Sequence, residues 1–395
     1  MTQRQRKVGY FTLEGLNSFA TTFYFYYLFF FMERQFGFGN LGNLSLAALN
    51  GLIYIFVTRL AGRLGQRIGY VSALRLGFGI MTVALLAGTF LRSLVGQIAV
   101  AATWTIGICF TWPMLEALAS EKEDPLGLQR MIGIYNLVWA TCSALAYFTG
   151  GLLIEKFGAR SIFWMPIGVH LLQTGLLWWL QQQPVTTLNT ALVRPVPNSI
   201  ELNPRPIARA KTFLRMAWWA NPFAYVAINT VAAVVPGLAR KMDLSPRLAG
   251  FFCSVWFFAR VGTFLALWLW TGWHYRLRWF IGAYLLLTLS FATILLAPKL
   301  GIIFLAQISF GFAVGLIYYS SLYYSMAVGE SKGEHGGLHE SAIGMGLFAG
   351  PAIGALTLHF MPDSPNSSAW AVSLALCGGL AGLLVTARRR KSQNP

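Results

Sequence analysis

Four charged residues in this chain stand inside or at the rim of long apolar runs, where an ion is costly and has to be useful. Glu14 lies in the second turn of the first run, and Asn17, Thr21 and Tyr24 follow it at helical spacing. One polar stripe is therefore predicted to face the interior. A carboxyl buried there is far cheaper neutral than ionised, so it is a candidate proton site; it could equally pair with a cation. Arg260 sits mid-way along another run, one turn after Trp256, and a buried guanidinium needs an anion from the protein or from a ligand. Glu116 follows Trp112-Pro113 and is read as an interfacial acid ahead of Glu121, Glu123 and Asp124. Glu340, beside His339, closes an acidic segment with Glu330, Glu334 and His335 that is read as a gate or helix-end contact, not a metal site. Uncharged candidates for solute contact are Asn136 with Trp139, Asn229, Gln307 and Tyr318, to which Trp112 and Trp256 are added. Tyr and Trp suit ring-bearing or amphipathic ligands because each joins an apolar body to a polar tip.

Other chemistries lack their residues. The sequence has no GxxxxGK[ST] phosphate loop, GxSxG elbow, HExxH or paired CxxC, so neither nucleotide hydrolysis nor enzymatic catalysis by these routes is expected. No cofactor or metal is called for. Cys109, Cys142, Cys253 and Cys377 fall in apolar blocks and are read as small buried hydrophobes.

The elements that must carry these groups are membrane helices. Of 395 residues, 56 % are hydrophobic and 11 % charged, against about 25 % charged in an ordinary soluble domain. Mean hydropathy is +0.57. Breaking the chain at Gly, Pro and charge clusters leaves twelve apolar segments: 8–32, 41–58, 71–91, 93–118, 130–154, 161–180, 217–239, 247–270, 278–297, 301–327, 338–360 and 369–387. Each suits a hydrocarbon layer of roughly 30 Å. Backbone hydrogen bonds must close within each segment, so the expected fold is all-α. The first run follows Arg4, Arg6 and Lys7 but is too long and too polar for a cleaved leader, and is read as the first span.

With an even number of spans both termini share a side. Twenty-one Lys and Arg residues fall on that side and eight on the other, with Arg260 left inside a span. The excess places both termini in the cytoplasm. It also explains much of the +17 net charge without nucleic acid. One long connection, 181–216, rich in Gln, Pro and Thr, divides the chain into an N-terminal bundle (1–180) and a C-terminal bundle (217–395). Pro206 to Trp219 mixes Arg209, Lys211 and Arg215 with Phe213, Leu214, Trp218 and Trp219, the composition of an interfacial helix or of a solvated linker with belt aromatics.

Six spans, a cytoplasmic linker and six more resemble the major facilitator superfamily, over the whole chain. Gly62-Arg63-Leu64-Gly65-Gln66-Arg67-Ile68-Gly69 resembles that superfamily's signature between its second and third spans. Gly62, Arg67 and Gly69 match, while Gln66 stands at the usual acid. Gly150-Gly151 in span five and Gly346, Gly350, Pro351 and Gly354 in span eleven look like the small-residue helices that the superfamily uses where its halves meet. Ala146 and Tyr147 occupy positions where its antiporters carry Gly-Pro, which argues against a drug/proton antiporter.

The resemblance implies a multi-pass secondary transporter moving a small organic solute by alternating access; Glu14 makes protons the expected coupling ion, the short loops without an organelle signal point to a bacterial inner membrane, and a monomer is expected. The alternatives are a lipid or amphipathic-drug exporter of the same fold, or a receptor that no longer transports.

Overall fold

The computed structural model describes residues 1–121, 125–184, 204–328 and 332–393. Every regular element among them is helical: α1 (Gln3–Phe36), α2 (Asn40–Ile68), α3 (Tyr70–Phe90), α4 (Leu94–Ile108), α5 (Trp112–Ser120), α6 (Pro125–Phe157) and α7 (Ser161–Gln182), then α8 (Pro204–Lys241), α9 (Pro246–Cys253), α10 (Val255–Leu269), α11 (Leu277–Leu296), α12 (Leu300–Val328), α13 (Lys332–Phe360) and α14 (Ser367–Gln393). The pairs α4/α5 and α9/α10 each make one broken crossing, so fourteen helices give twelve spans. Ten spans are long and apolar enough to cross a membrane on composition alone. The other two, α1 and α7, bury polar side chains: Glu14, Asn17, Ser18, Thr21 and Thr22 on α1, His170 and Gln173 on α7. Some of these groups satisfy one another, as where Gln173 Nε2 donates to the Leu13 carbonyl at 3.0 Å and Gln173 Oε1 meets His170 Nδ1 at 2.8 Å. Phe56, Leu60, Val83, Phe90, Leu269, Leu289, Leu305 and Leu374 point outward, as lipid-facing residues must.

The break in the fourth span has a chemical cause. Pro113 lacks an N–H and stands in the first turn of α5, so the ladder of α4 cannot continue through it. Thr111 Oγ1 turns back to the Ile108 carbonyl at 2.9 Å and accepts from Asn17 Nδ2 at 3.3 Å. Asn17 thus holds the break from α1.

Helices in lipid gain no hydrophobic drive from meeting one another, so close contact depends on small residues. α2 lies along α13, and α6 along α9 and α10. At the first contact Gly51 abuts the backbone of Leu347 and Phe348; at the second Gly151 abuts the carbonyl of Pro246. Within α13, Gly346 and Gly350 face the Pro222 and Val226 carbonyls of α8, whereas Gly354 faces Leu44 of α2. The glycine-rich segments therefore serve two contacts, one between the helix sets on either side of the long connection and one within the second set.

Three sequence expectations change in detail. The segment 59–70, expected as a loop, is helical to Ile68; the turn is Gly69 alone, at φ 88°, a conformation in which a side chain would be strained. Gly62 and Arg67 accordingly belong to the last turns of α2. The connection 181–216 is shorter than expected, because α7 runs to Gln182 and α8 starts at Pro204. Proline at a helix start breaks no ladder bond, so the stretch up to Trp219 joins span seven as one helix. Phe213, Leu214, Met216 and Ala217 are buried on it while Lys211 and Arg215 are exposed. Cys109 and Cys253 are buried, but Cys142 is half-buried and Cys377 faces outward.

Candidate functional site

The helices converge on a cavity of about 170 Å³ lined from α1, α2, α4, α5, α6, α8, α10, α12 and α13. A volume near 150 Å³ admits a benzene-sized guest, so the space holds a small organic molecule.

Seven sequence candidates line it: Glu14, Thr21, Trp112, Trp139, Asn229, Arg260 and Tyr318. The other five stand behind its wall. Asn17 supports the α4/α5 break. Tyr24 is buried against Trp104, with ring centroids 4.7 Å apart. Asn136 Oδ1 accepts from Trp139 Nε1 at 2.8 Å and so orients that indole. Trp256 backs Arg260, 4.9 Å from its guanidinium. Gln307 Nε2 donates to the Phe252 carbonyl at 3.0 Å, beside the α9/α10 break. The helical period explains the split on α1. At about 100° per residue, Thr21 returns to within about 20° of Glu14, whereas Asn17 and Tyr24 lie about 60–80° round on the side away from Thr22 and Tyr26. Thr22, Phe25 and Tyr26 complete the cavity face instead.

Glu116 and Glu340 also line the cavity, which corrects the reading of Glu116 as an interfacial acid; Glu340, read as a gate or helix-end contact, stands in the third turn of α13 and not at its end. The α4/α5 break swings Glu116 inward, one turn past Trp112. Glu340 is buried and accepts from Tyr54 Oη at 2.5 Å, tying α13 to α2. Glu330, Glu334, His335 and His339 lie outside the described side chains. No group of three or more His, Cys, Asp or Glu among the described residues is arranged to hold a metal ion. Sequence reasoning passed over Asn50 and Tyr54, four residues apart on α2, whose signal was a polar pair inside an otherwise apolar run.

The two ends of the cavity differ in chemistry. At one, Ser18 Oγ donates to Glu14 Oε1 at 2.8 Å, and Tyr135 and Glu116 lie near that carboxyl. At the other, the Arg260 guanidinium lies 4.5 Å from the Trp139 ring and 4.9 Å from both Trp256 and Phe257. Arg260 is 6 % exposed. Beyond this end is a layer of rings: Tyr26 packs on Tyr147 at 4.6 Å and Phe257 at 5.2 Å, and Tyr147 packs on Tyr27 at 5.7 Å. A second cavity, about 360 Å³, lies past that layer, lined by Tyr27, Phe30, Ile154 and the Glu33–Arg240 ion pair.

Helices gathered round a central polar cavity, with one crossing broken at its wall, are the build of a secondary transporter. The Major Facilitator Superfamily matches residues 11–351, and the chain belongs to that family. Over 120 residues it is 31 % identical to the methylenomycin A resistance protein of Streptomyces coelicolor, a match covering 30 % of this chain and 25 % of that protein's length. Its fold is similar to that of the nucleoside transporter NupG (TM-score 0.68, 11 % identity, covering 97 % of this chain and 99 % of that one). It is similar also to the human organic anion transporter MFSD10 (TM-score 0.69, 14 % identity, 98 % and 99 %). A bacterial homologue of the human lysosomal transporter Spinster, in an inward-facing and unoccupied conformation, gives a TM-score of 0.67 at 14 % identity, covering 98 % and 95 %. These likenesses establish the fold.

Proposed function

We propose that this protein is a proton-coupled secondary transporter of a small organic solute, working by alternating access in a bacterial inner membrane as a monomer. In this reading the bundles 1–180 and 217–395 rock about the central cavity, joined on the cytoplasmic side by the connection between α7 and α8. Glu14 is the group that takes and releases the proton. The supporting observation is its setting: a carboxyl 1 % exposed, on the cavity wall, with Ser18 donating to one oxygen and the Tyr135 hydroxyl beside it. Such a group is stable when it carries a proton and needs water or a cation when it does not. Tyr318, Asn229, Trp112 and Trp139 contact the solute.

The test is reconstitution into proteoliposomes with an imposed pH gradient and a panel of labelled solutes. Wild-type protein accumulates its solute against a gradient. Glu14→Gln, which mimics the protonated carboxyl, abolishes accumulation and retains solute exchange. Accumulation that survives unchanged in Glu14→Gln removes Glu14 from the coupling step. The partial identity to a resistance protein favours one second reading, export of an amphipathic drug. Ala146 and Tyr147, where antiporters carry Gly-Pro, weigh against it.

A further inference from the structure

We infer that the solute is an organic monoanion, its carboxylate seated on Arg260 and its flat apolar body held among the neighbouring rings. The inference deepens the transport reading above and rests on it for the passage of the solute, though not for its binding.

The guanidinium of Arg260 is nearly as buried as a core residue, yet among the described residues no carboxylate lies within ion-pair reach and its Nε is without a partner; the polar side chains that feel its charge are the neutral phenols of Tyr26, Tyr225 and Tyr318. Its charge is met on three sides by the faces of Trp139, Trp256 and Phe257. Ring faces attract a cation but leave the N–H edge unsatisfied. That edge is a planar fork whose geometry matches a carboxylate in bidentate fashion.

The three acids of the cavity do not supply the missing anion. Glu340 accepts from Tyr54, Glu14 accepts from Ser18, and neither they nor Glu116 pairs with Arg260. The two kinds of charge also differ in what they require of a ligand. A carboxyl in a dry cavity can be neutralised by a proton. A guanidinium cannot shed its proton in a protein. The cavity's permanent and uncompensated charge is therefore positive, and the counter-charge has to arrive with the solute. The acids then act in the opposite sense: ionised, they repel the anion; protonated, they admit it. Anion and proton travel together, and one turnover moves no net charge. The size of the space fits a single ring with its acid group.

The probes are benzoate, benzamide and benzylamine, which share a ring and differ in charge. Binding to the purified full-length protein is followed by tryptophan fluorescence, since Trp139 and Trp256 flank the seat. Benzoate should bind roughly tenfold or more tighter than either of the others, the scale of one charge-assisted pair. Arg260→Gln should weaken benzoate roughly 10- to 100-fold and leave benzamide unchanged. Without ligand, Arg260→Gln should melt no lower than wild type, because it removes an unpaired buried charge; loss of a structural ion pair would lower the melting temperature. Arg260→Lys keeps the charge without the fork and should fall between the two. The wild-type comparison needs no variant and stands if Arg260→Gln fails to fold. Equal or tighter binding of benzamide or benzylamine, no binding of benzoate, or full benzoate affinity in Arg260→Gln overturns the inference. Tight benzylamine binding with gradient-driven uptake would sink the substrate class alone. Benzoate bound through Arg260 but never carried across proteoliposomes would sink the transport reading alone.

Discussion

At the level of single residues, the polar groups in the membrane divide into those that face the cavity and those that hold others in place. Asn17 is of the second kind. Removing its bond to Thr111 by Asn17→Ala should cost on the order of 0.6–1 kcal/mol, the usual worth of a hydrogen bond between membrane helices. The expected outcome is a lowered apparent melting temperature with solute affinity changed little, the reverse of Arg260→Gln. An affinity loss without a melting shift would put Asn17 in the binding face instead. The sequence distinguished such roles poorly, for a geometrical reason. A stripe drawn at intervals of three and four residues drifts to one side of Glu14, by about 60–80° at Asn17 and Tyr24, whereas the cavity takes in the other side, at Thr22 and Tyr26. Glu116 was misread for a different reason: its inward turn depends on the α4/α5 break, and Pro113 marks a break without telling where the chain then points.

Among the elements, the decisive contact is α2 with α13. A Cβ at Gly51 would collide with the backbone at Phe348, which cannot yield as a flexible side chain would. Gly51→Leu should therefore hold the two helices apart, at about 1–3 kcal/mol of overpacking, disfavouring the packed arrangement by roughly 5- to 150-fold. Its readout is loss of transport at normal expression. Gly79→Leu is the control, since a side chain there meets nothing within 4 Å. Outside the membrane-spanning segments, the turn between α10 and α11 holds His274, stacked on Tyr323 with centroids 4.0 Å apart and Nδ1 3.1 Å from its hydroxyl. Burial pushes this imidazole below its ordinary value of 6.5. The unfolded turn then binds the proton more readily than the folded one, so stability is full above about pH 6.5 and declines as pH falls below it. Protection factors across 270–276, the exchange rates divided into their intrinsic values at each pH, should fall over that window in wild type and stay flat in His274→Gln. Helix number was plain from the apolar blocks because a lipid span needs a fixed length of apolar chain. The ends were less plain, since helix continues past the bilayer wherever caps allow, as at Ile68 and Pro204.

For the molecule as a whole, the arrangement of charge predicts topology. Single cysteines placed at Asn198 and Asn366 should react with an impermeant maleimide from opposite faces of the membrane. Labelling of both from one face would overturn the scheme of twelve spans with cytoplasmic termini.

The ring layer between the two cavities has an electrical consequence. Polar space lies on either side of Tyr26, Tyr147 and Phe257, so the low-dielectric barrier at this point is only a few side chains thick. A membrane voltage falls chiefly across the insulating part of its path, so with both cavities hydrated the field would be concentrated in that layer instead of being spread over the full bilayer. A charge crossing it meets nearly the whole potential within a few ångströms, about 2.3 kcal/mol per 100 mV. An electroneutral anion–proton pair would cross without feeling it; a lone proton would not. Thinning the layer with Tyr147→Ala should accordingly give a voltage-driven proton leak, seen as acidification of liposomes under a potassium–valinomycin potential in the absence of any solute.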